Sequence, residues 1–282
     1  IWEGSEAVPR EVLLSRAADA DGIICVLTEK IDAELLASCP NISAVSTVSV
    51  GVDHVDVEAM NTRGIPLGHT PGVLVDATAD LTFGLLLAVA RRIPEGDRYV
   101  QSGEWSGSGW SPKSFLGADI SGKTLGIVGL GEIGQAVARR AAGFGMRVIA
   151  WSRSERQVNG VENCTFDELI HASDFVSVNV ALNEDTKNLI DDATIRKMKA
   201  GAILINTARG GIVNEDALAK ALTEGRLAGA GSEVFEQEPV QADNPLLAAP
   251  NFVAAPHIGS ATPATRMAMI ELAVANMLAA MK

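Results

Sequence analysis

A glycine-rich turn in the middle of the chain constrains its fold more than any other feature. The turn follows an apolar run at residues 124–128 and opens a helical pattern that continues to about residue 144; it reads Gly129-Leu130-Gly131-Glu132-Ile133-Gly134. In this setting the first glycine permits the tight turn, the second lets a pyrophosphate approach the backbone, and the third lets the helix pack closely on the strand. Unpaired N–H groups at the helix N-terminus attract the same anion. The pattern therefore predicts a dinucleotide-binding unit; the alternative is an ordinary strand–helix turn.

The end of the next strand indicates which dinucleotide is bound. An NAD site normally has Asp or Glu about 20 residues after the glycines, where it binds the ribose 2′-hydroxyl. This chain has Ser152-Arg153-Ser154 there, without an acid. A guanidinium flanked by two hydroxyls suits a 2′-phosphate, because it binds phosphate in a bidentate manner and keeps its charge. We therefore predict NADPH, with NADH possible; the alternative for Arg153 is a solvated loop arginine.

Short apolar runs alternate with helical patterns along most of the chain. Before residue 73 they occupy 22–27, 42–49 and 65–68, and after it 124–128, 147–151, 174–180, 203–206, 227–231 and 252–255. Such alternation is typical of parallel sheets covered by helices. We predict an α/β protein with two doubly wound parallel-sheet domains. A Rossmann nucleotide-binding domain, 74–262, is inserted into a smaller flavodoxin-like substrate domain, 1–73 plus 263–282.

The connecting segments give further expectations. Residues 75–102 have the pattern of one long helix, residues 103–121 that of a surface loop, and residues 263–282 that of an amphipathic helix that returns to the first domain. The chain opens at Ile1 without an initiator Met, and Trp2-Glu3-Gly4 has the pattern of a strand's end. We therefore expect an N-terminal truncation that leaves an open sheet edge in the small domain.

Composition excludes several classes of protein. With 47% hydrophobic and 21% charged residues, the chain has ordinary globular composition. Its net charge of -12 argues against nucleic acid or an anionic membrane as partner. The longest apolar stretch, 81–90, is about half of the ~20 residues that a membrane span requires. Cys25, Cys39 and Cys164 are far apart, without a CxxC pair. They predict free thiols in the reducing cytoplasm, and no metal site.

Three later strand ends carry polar residues suited to acid–base chemistry. Arg209 follows the run at 203–206, Glu238 the run at 227–231, and His257 the run at 252–255. In open α/β sheets ligands bind at the carboxyl ends of the strands. Each residue alone has an ordinary explanation, namely a loop arginine, a solvated glutamate and a structural histidine. Together they predict an acid–base site at one rim of the sheet.

The segments around these residues resemble a known family. Residues 126–134, 206–213, 231–239 and 256–262 are similar to the D-isomer-specific 2-hydroxyacid dehydrogenases, and 50–56, 65–72 and 76–80 extend the resemblance over essentially the whole chain. Segments 69–74, 104–110 and 151–154 are most similar to the glyoxylate/hydroxypyruvate reductase branch. The resemblance implies an NADPH-dependent reduction of a small 2-keto acid to the 2-hydroxy acid.

The resemblance also implies roles for the polar residues. Arg209 would bind the substrate carboxylate and polarise the keto oxygen, and His257 would donate a proton to that oxygen while the nicotinamide delivers hydride. Glu238 would orient the imidazole and stabilise its charged form. Backbone N–H groups of Val50 and Gly51 would bind the carboxylate from the small domain.

Cofactor contacts follow from the same resemblance. Thr78 resembles a phosphate contact, and residues 180–182 resemble the loop that lines the nicotinamide side. The implied set outside the glycine turn is Thr78, Ser152, Arg153, Ser154, Val180, Ala181, Leu182, Thr207, Ala208, Arg209, Glu233, His257 and Gly259. Two positions depart from the family. Glu233 replaces the usual Asp near the nicotinamide carboxamide, so its carboxylate should move by more than about an ångström and alter the pose or affinity of the cofactor. Glu132 stands where relatives often have Arg.

Alternative functions remain open at this point. One is another D-2-hydroxyacid dehydrogenase that uses NADH, or formate dehydrogenase, whose reaction releases no substrate proton and does not require a His backed by Glu238. Phosphoglycerate oxidation would need basic residues for the phosphate, and the substrate-side loops offer only Lys30. The alternative from another class is a dinucleotide-sensing dimeric scaffold that uses the fold without catalysis.

A homodimer is the expected assembly. Leu85, Leu86, Val89 and Tyr99 give the helical stretch more apolar surface than its own domain needs, which suggests a subunit interface. The alternative is that this stretch is a buried core helix. Trp110 lies in a loop dominated by Gly and Ser, and its counterpart in the similar reductases reaches the partner's substrate pocket. We therefore predict that Trp110 borders the Arg209–His257 site of the other subunit.

Overall fold

The computed structural model describes residues 2–4, 7–154 and 156–282. The chain divides into a first unit, Ile1–Leu74 with Ser260–Lys282, and a second unit, Val75–Gly259. In chain order the helices are α1 Arg10–Ala17, α2 Ala33–Ser38, α3 Val57–Thr62, α4 Val75–Ala90, α5 Ile93–Gln101, α6 Glu104–Ser108, α7 Glu132–Gly143, α8 Phe166–Ala172, α9 Asp192–Lys197, α10 Glu215–Thr223 and α11 Pro263–Ala280. The strands are β1 Gly22–Cys25, β2 Ala44–Thr47, β3 Leu67–Gly68, β4 Thr124–Val128, β5 Arg147–Trp151, β6 Val161–Asn163, β7 Phe175–Val178, β8 Ile203–Asn206, β9 Gly229–Ser232 and β10 Phe252–Ala254.

The first unit is a parallel sheet with helices on both faces. Its strand order is β1-β2-β3. Alternate residues of β1 face opposite sides: Ile23 and Cys25 join the core under α1–α3, whereas a side chain at Gly22 would contact Met277 of α11. Side chains cap three of the helices, and Asp32, Asp56 and Thr262 each accept a hydrogen bond from a first-turn N–H group.

The second unit is built on a seven-stranded parallel sheet. Its order, β10-β9-β8-β7-β4-β5-β6, reverses direction next to β4, which is the switch point where open α/β sheets bind ligands. All residues of β4, β7 and β8 are buried, as expected for strands covered on both faces. One core cluster packs α4 and α7 on the sheet, and a second packs α8, α9 and α10 on the opposite face. Both sheets are parallel, and the predicted α/β architecture is confirmed.

The glycine turn joins β4 to α7 as the sequence predicts. Gly129 has a φ of 102°, which side chains rarely tolerate. A Cβ at Gly134 would lie 2.1 Å from the carbonyl oxygen of Gly129, so only glycine permits this approach of helix to strand. A Cβ at Gly131 would meet open space, which leaves the backbone accessible from outside.

Several local expectations are wrong. The helix expected over residues 75–102 is two helices, because Arg92 adopts a left-handed conformation (φ 53°) and Pro94 supplies no N–H to a continuous helix. The loop expected over 103–121 contains α6, and the sequence pattern missed both β6 and the 3₁₀ helix Pro245–Ala248. Trp2–Gly4 is not a strand end, and Ile1 lies outside the described residues.

The apolar surface expected on α4 is also absent. Leu85, Leu86 and Val89 are 4%, 0% and 0% exposed, since α4 packs on β8, β9, β10 and α7 of its own unit. These residues form core and not a subunit interface, which corrects one basis of the dimer prediction. Among the described residues, none of the helices combines the length and hydrophobicity needed to span a bilayer. Cys25, Cys39 and Cys164 are free thiols.

Two glycines of α7 test the close approach of the helix to the glycine turn, because a Cβ has no space at Gly134 and open space at Gly143. Gly134→Ala should lower the free energy of unfolding by about 1–3 kcal/mol, because the new methyl group has no space against Gly129. Gly143→Ala is the matched control: its Cβ meets nothing within 4 Å, and alanine should stabilise the helix by about 0.5–1 kcal/mol. Urea unfolding of both variants measures the difference. Equal effects of the two substitutions would contradict the close approach at Gly134.

Candidate active site

Three adjacent strands of the second unit place the predicted polar residues at one edge. Arg209 follows β8, Glu238 follows β9 and His257 follows β10. The strands are neighbours in the order β10-β9-β8 and all run parallel. Their carboxyl ends therefore lie side by side, and the loops that carry the three side chains meet there.

The Arg209 loop is held by the end of its own strand. Asn206 donates from Nδ2 to the carbonyl oxygen of Arg209 (3.0 Å), and its Oδ1 accepts from the N–H of Ala208 (3.1 Å). Gly210 packs directly on the next loop: a Cβ there would lie 1.8 Å from the carbonyl oxygen of Phe235. This contact brings the Arg209 loop against the loop that carries Glu238. Any side chain at position 210 would force the two loops apart.

Glu238 and His257 form a short hydrogen-bonded pair. The Nδ1 atom of His257 lies 2.6 Å from Oε2 of Glu238, and the N–H of Phe235 donates to the other carboxylate oxygen (3.0 Å). Burial by itself would raise the pKa of Glu238. The hydrogen bonds from His257 and Phe235 and the positive charges of His257 and Arg209 outweigh it and lower that pKa. An ionised carboxylate can only accept, so Nδ1 carries a hydrogen and Nε2 is left for a ligand.

Glu233 anchors the backbone of the histidine loop. Its carbonyl oxygen accepts from the N–H of His257 (2.9 Å) and its Oε2 from the N–H of Gly259 (2.6 Å). The side chain is 2% exposed, and burial raises its pKa, opposed by the charge of His257 and by the N–H groups of Gly259 and Ile258. A Cβ at Gly259 would lie 2.5 Å from Oε1 of Glu233. No pattern in the sequence indicates this anchoring role.

The cofactor positions surround the switch point of the sheet. Val180, Ala181 and Leu182 follow β7, while Ser152, Arg153 and Ser154 follow β5, so the two segments flank the glycine turn after β4. Arg153 is exposed, and the hydroxyl of Ser152 donates to the carbonyl oxygen of Ser154 (2.7 Å). The open space at Gly131 beside the N-terminus of α7 fits a pyrophosphate. The residues present therefore fit a nicotinamide dinucleotide.

Thr207 lies in the Arg209 loop, and Thr78 lies beside the histidine loop, since a Cβ at Gly259 would be 3.3 Å from its hydroxyl oxygen. Thr78 is buried on α4, and Thr207 forms a buried hydroxyl contact of 2.8 Å with Thr82 of the same helix. Trp110 belongs to the second unit and is 81% exposed. Val50 and Gly51 belong to the first unit, in the loop after β2. Within the part of the chain that the structure describes, no group of three or more His, Cys, Asp or Glu residues could hold a metal ion.

Comparison with known proteins connects this geometry to a family. The family model for "D-isomer specific 2-hydroxyacid dehydrogenase, NAD binding domain" matches residues 83–259. A glyoxylate reductase of Thermococcus litoralis is 48% identical and aligns over 99% of this chain and 86% of its own length. The crystal structure of a protein from Thermus thermophilus superposes with a TM-score of 0.92 at 47% identity, covering 97% of this chain and 87% of that one.

A second solved structure carries a cofactor. The NADPH-dependent glyoxylate/hydroxypyruvate reductase from Sinorhizobium meliloti, in complex with NADP and malonate, has a TM-score of 0.87 at 34% identity, covering 94% of this chain and 82% of that chain. The resemblance noted in the sequence is thus confirmed over nearly the whole chain, together with the nucleotide-binding fold. The protein belongs to the D-isomer-specific 2-hydroxyacid dehydrogenase family and is an NAD(P)-dependent dehydrogenase.

Proposed function

We propose that the protein is an NADPH-preferring reductase of small 2-keto acids, with glyoxylate or hydroxypyruvate as first candidates. The observation that carries the proposal is the 2.6 Å pair of Glu238 and His257, on strand ends next to that of Arg209. A carboxylate-backed imidazole supplies a proton to a keto oxygen, and a guanidinium binds a carboxylate. Relatives named glyoxylate reductase, 46–48% identical, support this substrate class.

In this proposal the residues divide the reaction between them. Arg209 binds the substrate carboxylate and polarises the keto oxygen, and the N–H groups of Val50 and Gly51 are the carboxylate donors of the first unit. A bound nicotinamide dinucleotide supplies hydride to the keto carbon. His257 gives its Nε2 proton to the keto oxygen, which completes the 2-hydroxy acid. Glu238 keeps the ring oriented and stabilises its charged form before the transfer.

Two rival functions make different predictions. A formate dehydrogenase from Staphylococcus aureus is 29% identical. Formate oxidation releases no substrate proton, however, so that reaction would not use the proton-transfer pair Glu238–His257. A dinucleotide-binding scaffold could keep the pair without turnover. Glyoxylate, hydroxypyruvate, pyruvate and formate, each assayed with NADPH/NADP and NADH/NAD, distinguish these functions. The proposal requires glyoxylate or hydroxypyruvate to give the highest kcat/KM. Tight NADPH binding without any turnover would favour the scaffold.

Substitution of the pair tests the proton-donor role. His257→Gln should lower kcat by about 10²–10⁴-fold, the usual contribution of a general acid, with cofactor binding retained. Glu238→Gln replaces the ionised acceptor of Nδ1 with a neutral amide, which weakens the hydrogen bond that orients the ring. The variant should lower kcat by about tenfold, the effect of losing a charge-assisted hydrogen bond, with KM for NADPH unchanged. A kcat of Glu238→Gln equal to that of the wild type would exclude this role of Glu238.

Cofactor preference is assigned to Arg153. The side chain is exposed beyond β5 between two serines and is available to a 2′-phosphate. Arg153→Ala should lower the ratio of kcat/KM for NADPH to that for NADH by about tenfold, through loss of charge-assisted hydrogen bonds. Arg156→Ala is the control, because it removes an equal charge three residues away. The assignment fails if both variants keep the wild-type ratio, or if both change it equally.

The proposed homodimer rests on exposed apolar side chains of the second unit. Ile93, Val100, Trp105, Trp110 and Leu116 are 54%, 53%, 50%, 81% and 69% exposed. An apolar patch of this kind on α5, α6 and the loop beyond is typical of a protein–protein interface. We place Trp110 of one subunit beside the Arg209–His257 site of the other, where its ring would limit the size of the substrate.

Trp110→Ala tests this placement. The variant should raise KM for hydroxypyruvate or increase activity toward bulkier keto acids, with little change in NADPH affinity. Trp105→Ala is the matched control, since it removes an indole from the same surface without reaching the proposed pocket. Analytical ultracentrifugation should give the mass of two chains for the wild type. A wild-type monomer at assay concentration, or identical kinetics of the two variants, would contradict the dimer proposal.

A further inference from the structure

Three consecutive carbonyl groups are held in the loop after β2. The carbonyl oxygen of Ser49 accepts from the N–H of Thr70 (2.8 Å), that of Val50 lies 3.1 Å from Nδ1 of His69, and that of Gly51 accepts from the hydroxyl of Ser49 (2.7 Å). In a planar trans peptide the C=O and the following N–H point in opposite directions. The N–H groups of residues 50, 51 and 52 are therefore each turned away from these partners.

The carbonyl oxygen of Gly51 determines which atom donates in each hydrogen bond of the series that holds it. A carbonyl oxygen only accepts, so the hydroxyl of Ser49 uses its hydrogen on Gly51. The contact between the hydroxyls of Thr47 and Ser49 (2.8 Å) must then have Thr47 as donor. Thr47 has no hydrogen left for Nε2 of His54 (2.9 Å), so Nε2 donates to it. The result is a series of hydrogen bonds in which each group donates to the next: His54 to Thr47, Thr47 to Ser49, and Ser49 to the carbonyl oxygen of Gly51.

His69 is held from both sides. Its Nδ1 must carry a hydrogen, because its partner is the carbonyl oxygen of Val50. Its own carbonyl oxygen accepts from Nδ2 of Asn276 on α11 (2.8 Å). Gly68 allows this contact, since a Cβ there would lie 2.7 Å from Cβ of Asn276. The loop is thus tied to β2, to the segment after β3 and to the last helix of the first unit.

The three N–H groups that result are consecutive in the chain and are not used by the fold. Among the described residues, the N–H groups of Val50, Gly51 and Val52 donate to no backbone or side-chain acceptor. Successive N–H groups in a turn can form a concave site for an anion. The hydrogen-bonded carbonyls oppose rotation of the three peptide planes, so the N–H groups keep their directions before a ligand arrives.

We propose that His54, acting through Thr47 and Ser49, and His69 are positioning residues that fix these three N–H groups as the cradle for the substrate carboxylate. The proposal rests on the proposed function and deepens it: it adds Val52 to the predicted pair of N–H donors and assigns two histidines that neither transfer a proton nor contact the substrate. The ligand class is a small carboxylate, because the cradle offers only neutral donors in a row.

Two matched pairs of variants test the proposal. Thr47 is fully buried, so Thr47→Val keeps its shape and removes the hydroxyl, while Thr47→Ser keeps the hydroxyl. His69 is exposed; His69→Leu removes the donor, whereas His69→Asn keeps a nitrogen donor at the position of Nδ1. Thr47→Val and His69→Leu should each raise KM for glyoxylate about tenfold, the effect of losing about one hydrogen bond. The Ser and Asn variants should remain within about twofold of wild type.

A second readout separates positioning from general damage. In the two donor-deleting variants, kcat and KM for NADPH should stay at wild-type values, and the dissociation constant of oxalate, measured by calorimetry on the NADP-loaded protein, should rise in parallel with KM. Oxalate is a carboxylate probe that needs no turnover. If Thr47→Val does not fold by circular dichroism, the exposed His69 pair decides the question.

The outcomes are distinguishable from failure of the proposed function. Equal KM and equal oxalate affinity within both pairs would overturn the positioning role, even in an active reductase. A fall in kcat with unchanged KM would overturn it as well. A wild-type protein that reduces no 2-keto acid, but binds oxalate more tightly than Thr47→Val does, would refute the proposed function and support the cradle.

Discussion

The hydrogen bond between Glu238 and His257 is the interaction on which the rest of the site depends. A 2.6 Å contact between a carboxylate and an imidazole is a strong, directional bond that fixes which ring nitrogen faces inward. It forms because β9 and β10 are parallel neighbours and their loops leave the sheet at the same edge. The parallel sheet thus converts two residues 19 positions apart in sequence into a bonded pair.

The loops around this pair are held in conformations that most sequences avoid. His257 has a φ of 50°, a left-handed conformation that costs a residue with a side chain about 1–2 kcal/mol. Glu233 compensates by binding the loop on both sides of that residue, through its carbonyl oxygen and its carboxylate. Gly210 and Gly259 allow the contacts because a Cβ at either position would overlap a neighbouring loop. These contacts hold the backbone on either side of the Glu238–His257 pair, which is what a positioned proton donor requires.

Sequence predicted the features that repeat a local pattern and missed those that depend on distant contacts. The glycine turn, the main strands and the three strand-end residues follow from periodicity and from the family resemblance. The break at Arg92 depends on one left-handed residue, which no apolar pattern marks. Leu85 looked like interface surface because the sequence cannot tell that this side of α4 packs on β8, β9, β10 and α7 of its own unit. The hydrogen bonds that run from His54 to Gly51 could not be predicted from the sequence for a related reason. Its members become neighbours only when a loop folds back on its strand.

The identity of the ring nitrogen that carries hydrogen tests the central claim most directly. The protein has four histidines, so ¹⁵N spectra of the wild type and of His257→Gln assign the signals of His257. Because Glu238 accepts from Nδ1, the neutral ring should be the Nδ1–H tautomer, with Nε2 as the bare nitrogen that gains and loses the catalytic proton. That result would show that the pair exists in solution and presents Nε2 for proton transfer. A neutral ring with hydrogen on Nε2 and a bare Nδ1 would contradict the account.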